Sequence, residues 1–329
     1  MIKKIEMLIA VAVLVSCPSF GAVGENVPAR TAVFWRNPSD IESRDLFYGP
    51  GGQKHQPHGA FRFVKEDLDG TNPKFTIEGQ DGVKWKVKLG LEARPETAAT
   101  RLLWAVGYFT DEDYLVPRLL VGDMPRLKRG QKLVEPDGSM RNARLERKLK
   151  SKEKIGRWRW RDYRSNGRVV NGLRVMMALL NNWDLKDVNN TIYANKRSAR
   201  EKQTYLVGDL GATFGTPGYS WPLSKAKDNL DTYSGSKIIT RVTPEYVNFS
   251  TPSRPALMRV IQPEFFRRLR MRWIGRRIPR ADARWIGGLL GRLSTRQIRD
   301  AFRASGYSEE EVDGFTRVVQ ERIAELKSL

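Results

Sequence analysis

Between Phe61 and Leu89 three short runs alternate apolar and polar residues, and two dense turn signals separate them. Phe61-Arg-Phe-Val64 leads into Asp67-Leu-Asp-Gly-Thr-Asn-Pro73, and Lys74-Phe-Thr-Ile-Glu78 into Gly79-Gln-Asp-Gly82. Val83 to Leu89 closes the series. Period-two alternation broken by Gly, Asn and Pro leaves little room for anything but an antiparallel meander. In the third run Val83, Trp85, Val87 and Leu89 share one face, and Lys84, Lys86 and Lys88 the other. A helix is expected next. Pro95 suits a first turn, Glu96 complements the dipole there, Ala98, Leu102, Leu103 and Val106 recur at helical spacing, and Gly107 stops it.

Further along, Leu115-Val-Pro-Arg-Leu-Leu-Val121 reads as a strand. Between Arg118 and Arg168 seventeen Lys and Arg face six Asp and Glu, and Ala143 to Lys154 reads as a charged surface helix. Val169 to Leu180 is the most apolar helix. It opens into the polar loop Asn181-Asn-Trp-Asp-Leu-Lys-Asp-Val-Asn-Asn190, followed by strands at Thr191–Ala194 and Tyr205–Gly208. From about residue 255 the pattern is helical, and Ser308 with Glu311 forms a capping box for a terminal helix. The expected fold class is therefore α+β, with strands early and helices late.

Composition narrows the chemistry. One Cys excludes a disulfide framework, and two His (His55 and His58, read as solvated loop residues) exclude His-rich metal sites. Fifty-eight Lys and Arg against 37 Asp and Glu give a formal charge of +21, which favours anionic partners. Lys3 and Lys4 followed by Leu8 to Val15 read as a signal peptide over residues 1–22, too short to span a bilayer. Leu14-Val15-Ser16-Cys17 is also similar to a lipobox, so the chain is lipid-anchored at Cys17 or cleaved after Gly21 or Ala22. Either way it is exported, to the periplasm, the cell envelope or beyond. No later stretch is long and apolar enough for a transmembrane helix. Residues 23–60 read as a loosely ordered arm.

Four features in order then carry chemistry: a strand lysine (Lys88), a first-turn helix glutamate (Glu96), Asp184-x4-Asn189 after a buried helix, and Asp209-Leu-Gly at a strand end. Phosphoryl transfer needs such a set: a cation on the phosphates, an acid to hold that cation, two oxygen ligands for a divalent metal, and a carboxylate for the acceptor's proton. Each residue alone has a plainer reading. Lys88 can be the wet face of a strand, Glu96 a dipole-compensating acid, and the Asp and Asn residues turn formers.

Over Phe61 to Gly215 this order resembles the protein-kinase-like superfamily, nearest its atypical branch of HipA-type kinases, phosphoinositide 3-/4-kinases and secretory-pathway kinases. The resemblance implies a two-lobed fold: a sheet-and-helix lobe over 61–121, a catalytic lobe over 122–253, and a basic helical extension over 254–329. It implies ATP or another nucleotide with Mg2+ or Mn2+. Asp184 would be the catalytic base, Asn189 and Asp209 the metal ligands, and Lys88 fixed by Glu96 the phosphate contact. The turn at Gly70, Thr71 and Asn72 would cover the phosphates. The chain departs from the pattern in having a single Gly in that turn and Asn182-Trp183 before Asp184, while Asn190 beside Asn189 leaves the ligand's register open by one. An export signal also sets the chain apart from cytoplasmic ATP. A second function class stays open on that account: a non-catalytic envelope protein binding polyanions or acidic membrane through its Arg-rich end. Between Arg254 and Arg303 there are fourteen Arg, and Phe266, Leu269, Trp273 and Ile274 form an apolar stripe. No nucleic-acid-binding signature is present.

Overall fold

After a two-residue strand, β1 (Ala32–Val33), the alternating runs form β2 (Phe61–Asp67), β3 (Lys74–Gly79) and β4 (Lys84–Lys88). The structure is a computed structural model and describes residues 32–70, 72–164, 167–195, 203–217, 226–251 and 269–329. Residues 1–31 with Cys17, the turn residue Thr71 and Phe266 of the apolar stripe lie outside the described residues. Two further strands, β5 (Asp113–Leu119) and β6 (Met140–Arg147), complete an antiparallel sheet in the order β2-β3-β4-β6-β5. One face of this sheet buries Phe75, Ile77, Trp85, Val87, Met140 and Leu145 together. The opposite face carries Lys86 and Lys88 toward a cleft.

The helix expected over Ala143–Lys154 is not there. Its first half belongs to β6 and its second to β7 (Lys152–Gly156). The reason is a period-two pattern under the charge: Ala143 and Leu145 enter the sheet core, whereas Arg144 and Glu146 line the cleft on the other face. The small lobe thus takes a strand from beyond residue 121, and the chain leaves it through Lys148–Ser151.

The helix α1 (Ala93–Ala105) ends before Gly107, whose φ of +97° and position 2.3 Å (for a would-be Cβ) from the Arg36 carbonyl admit only glycine. Ala98, Ala99 and Leu102 of α1 pack into the large-lobe core, so the helix bridges the lobes. That core is built on α2 (Gly167–Leu179), buried from Val170 to its end. Beside it lie β8 (Asn190–Asn195) and β9 (Gln203–Val207), in a sheet ordered β1-β9-β8-β7. The short helix α3 (Leu230–Ser234) and the strands β10 (Ile239–Val242), β11 (Tyr246–Phe249) and β12 (Ile278–Pro279) follow.

The C-terminal helices are α4 (Arg280–Leu290), α5 (Thr295–Arg303) and α6 (Glu309–Lys327). Ser308 and Glu311 form the expected capping box. Ile286, Phe302, Phe315 and Ile323 complete the same core as α2, with the arginines mostly outside. The architecture is α+β with two lobes and a helical C-terminal part. Among the described residues no helix is long and apolar enough to cross a membrane.

The arm is ordered where it is described. Phe34, Ile41 and Leu46 are buried, β1 pairs in parallel with β9, and residues 41–55 hold three 3-10 turns. Apolar residues spaced through Gly- and Pro-rich sequence dock without making long elements, which is why the segment reads as loose. His55 Nδ1 lies 3.1 Å from Glu112 rather than in solvent alone.

Candidate functional site

Lys88, the last residue of β4, is only 6% exposed. Its Nζ donates to Glu96 Oε2 at 2.6 Å, to Asp209 Oδ1 at 2.8 Å and to Glu92 Oε2 at 3.3 Å. The reading of Lys88 as a wet strand face therefore fails: the face is covered by α1 and by the loop after β9. Burial works against the ammonium, but Glu96, Asp209 and Glu92 outweigh it and hold the pKa above the ordinary lysine value. Burial pushes Glu96 up against the pull of Arg144 and Lys88. Asp209 titrates below the usual carboxylate range because Lys88 overrides its burial.

Glu96 is held from behind. Its other oxygen lies 3.6 Å from Arg144 Nη2, and Arg144 Nε donates to Asp113 Oδ2 at 2.7 Å. Arg101 and Thr100 of α1 donate to Asp113 at 2.6 and 2.9 Å. This chain of charges pins α1 across β5 and β6, so that Glu96 meets Lys88 without freedom to turn away.

The polar loop after α2 is knitted by its own asparagines. Asn182 accepts from the Asp184 N–H at 2.9 Å, and Asn189 Nδ2 donates to the Asp184 carbonyl at 3.0 Å. Asn190 is fully buried and donates to the Trp158 carbonyl at 3.2 Å. Asn189, not Asn190, lines the cleft, and among the described residues no donor takes its amide oxygen. Asp209 follows with a left-handed φ of +53°, a conformation that non-glycine residues seldom adopt and that aims its carboxylate into the cleft. Its side chain is 44% exposed. Gly211 is fixed by close approach, since a Cβ there would sit 2.5 Å from that of Glu92.

A cleft of about 210 Å³ brings together Lys88, Glu96, Asn189, Asp209, Gly70 and Asn72. Asp184 does not line it. That carboxylate lies 3.3 Å from Lys186 Nζ, and the residue is joined to the cleft through Asn189. Gly70 has a φ of +71° at the turn, and the Asn72 amide contacts Glu92. An Asp carboxylate and an Asn carbonyl are the hard oxygen donors that Mg2+ or Mn2+ takes. Among the described residues no three His, Cys, Asp or Glu cluster as a metal cage. A cation here would fill its shell from water and ligand phosphates, the usual habit of Mg2+.

Several residues of the site escape sequence reading. Glu92 contacts Lys88, Lys227 and Asn72 at once, four residues after Lys88 and outside the helix that carries Glu96. Arg144, Glu146 and Asp111 line the cleft from segments whose charge masks their alternation.

No family model matches the chain, and no curated protein does. Among solved structures, a Helicobacter pylori proinflammatory kinase, CtkA, is similar over 81% of this chain and 95% of its own, at 11% identity and a TM-score of 0.48.

Proposed function

We propose that the protein is a metal-dependent phosphotransferase of the cell envelope, moving a phosphoryl group from a nucleoside triphosphate or another phosphate-chain donor to a hydroxyl acceptor. One observation carries the reading: Lys88 joins Glu96 to Asp209, the latter 121 positions beyond the lysine, at the wall of an open cleft. A surface lysine gains little from one carboxylate; a buried one held by three is positioned. In this reading Lys88 binds the donor's phosphates and Glu96 fixes Lys88 in place. Asn189 and Asp209 hold Mg2+ or Mn2+, which neutralises charge building on the phosphate oxygens. Asp184 stands one residue behind the cleft wall, its carbonyl bonded to Asn189, and in this reading takes the acceptor's proton once the acceptor is bound. The bond from the terminal phosphorus to its bridging oxygen breaks, the bond to the acceptor oxygen forms, and the donor leaves one phosphate shorter. The leader around Leu8–Val15 supports the envelope placement.

The test is a thermal shift of the full chain with Mg2+ and ATP or inorganic triphosphate, alongside transfer assays. A clear stabilisation with metal and either ligand, absent in Asp209→Ala, is expected. Transfer should fall roughly 10²-fold or more in Asp184→Ala, the worth of a positioned base. No shift with any phosphate ligand in either metal sinks the reading.

A further inference from the structure

Beyond Lys88 the cleft continues, and it does not become a slot for a base. Lys86 stands two residues back on the same face of β4, about 6.6 Å along the strand. Opposite it the walls are Asp111, Glu146, Lys154 and Tyr193. Past these the groove runs on to Lys148 and Lys152. A nucleobase is apolar on both faces and is ordinarily gripped by aliphatic or aromatic side chains. Among the described residues the only large apolar surfaces along the inner cleft are Val188 and the Tyr193 ring.

The charges along this groove do not cancel. Lys86, Lys148, Lys152 and Lys154 have no ion-pair partner within 4.0 Å among the described residues, in contrast to Lys88. The acids beside them are already engaged: Glu146 with Arg144 at 3.2 Å, and Glu112 with Arg147 at 3.3 Å. Burial, with Glu146 next to it, pushes Asp111 up to about 7, so much of it is neutral near neutrality. Burial, and then the repulsion of Arg157 and Lys86, lowers the pKa of Lys154; burial also lowers that of Lys148, against the pull of Glu146. Four unpaired ammonium groups in a row, leading away from a lysine that is fully paired, make a track for a linear polyanion.

Resting on the reading of the Lys88–Asp209 end as the phosphate site, we propose that the cleft recognises its donor by the phosphate chain alone, and that the ligand is a linear inorganic polyphosphate threaded from Asp209 past Lys86 to Lys154 and Lys148. The base of a nucleotide adds nothing to its affinity.

Titration calorimetry of the full chain with Mg2+ compares inorganic triphosphate, a polyphosphate of some ten or more units, ATP and adenosine. Inorganic triphosphate should bind at least as tightly as ATP, the longer chain about tenfold tighter per chain end, and adenosine not at all. Lys154→Gln combined with Lys148→Gln should erase the gain from chain length, leaving the melting temperature of the free protein unchanged because neither lysine has a partner to lose. ATP binding tenfold or more tighter than triphosphate, or adenosine competing with ATP, overturns this inference and leaves phosphotransfer standing. Equal binding of long and short chains, or a gain that survives the double variant, overturns the track. Tight binding of an unrelated polyanion such as an oligonucleotide, equal to that of polyphosphate, overturns the ligand class. Binding of none of them overturns the phosphate site itself.

Discussion

The two lobes bury positive charge in different ways. Deep in the large lobe Arg322 is 4% exposed and donates to the carbonyls of Leu179 and Tyr233 at 2.8 Å each, with its guanidinium 3.8 Å over the Tyr233 ring. Arg174 donates to the carbonyls of Ile274 and Arg276 at 2.7 and 2.6 Å, and burial brings it down to about 10. Neither has a carboxylate within ion-pair distance among the described residues. At the cleft, Lys88 and Arg144 are met almost entirely by carboxylates. The difference is one of purpose. Carbonyls at the end of α2 are fixed dipoles, orphaned by the helix, and an arginine that caps them locks packing. A carboxylate is a removable negative charge, and a phosphate can take its place. The first arrangement makes structure; the second, on the proposed function, is a site poised for exchange.

That contrast can be broken most sharply at Arg322. Arg322→Ala removes the guanidinium's bonds to the carbonyls of Leu179, Tyr233 and Ser236 and leaves a buried gap beside the Tyr233 ring, and should cost about 3–5 kcal/mol of stability. Urea denaturation measures it. The variant, where still folded, should bind Mg2+ and triphosphate as the parent does. A loss under about 1 kcal/mol, or a changed ligand affinity, would show that the large-lobe arginines are not the purely structural members of the pair.

The same contrast explains what could be seen from sequence. The meander, α1, α2 and the terminal capping box are legible because period-two and helical spacings of apolar residues are local. Lys88, Glu96 and Asp209 stand out because strand ends and first turns are recognisable places. Arg144 and Glu146 do not, since a run of charges reads as a wet helix until a second sheet face needs lining. Glu92 is invisible for a different reason: its partners Asn72 and Lys227 come from 20 residues before it and 135 after it. The segment around Ile41 and Leu46 misleads too, because single apolar anchors in turn-rich sequence carry no periodicity. Asn182 and Asn181 are recognisable as polar after an apolar helix. What they hold is loop geometry, with Asn181 donating to Thr216 at 2.7 Å and Ser236 at 2.9 Å.

Asp111 sharpens the comparison through pH. Facing it are Glu146 and Arg144 from β6, Asp113 from β5, Glu96 from α1, Tyr193 from β8, Lys86 from β4 and Lys154 from β7. An acid whose folded pKa lies above its unfolded value favours folding only while protonated. Its contribution is full below about pH 4, declines as the unfolded chain ionises, and is gone once pH passes the folded value of about 7. The parent should therefore lose on the order of 2 kcal/mol between pH 4 and 7 relative to Asp111→Asn, allowing for partial exposure to the cleft. Parallel stability curves for the two proteins would place Asp111 in water and leave the acids of the groove charged.

Glu92 gives the smallest effect and the finest cut. It is 7% exposed, and Lys88 and then Lys227 pull it below the usual carboxylate range against its burial. It occupies the donors of Asn72, Lys88 and Lys227, the groups that a phosphate chain would claim. Glu92→Gln keeps the shape and one acceptor while removing the charge, so stability should fall by no more than about 1 kcal/mol. Affinity for Mg2+ and inorganic triphosphate should rise about threefold, because the competing carboxylate is gone. A fall in affinity instead would mean that Glu92 holds those donors in position for the ligand. It would then belong with the structural charges of the large lobe rather than with the exchangeable ones of the cleft.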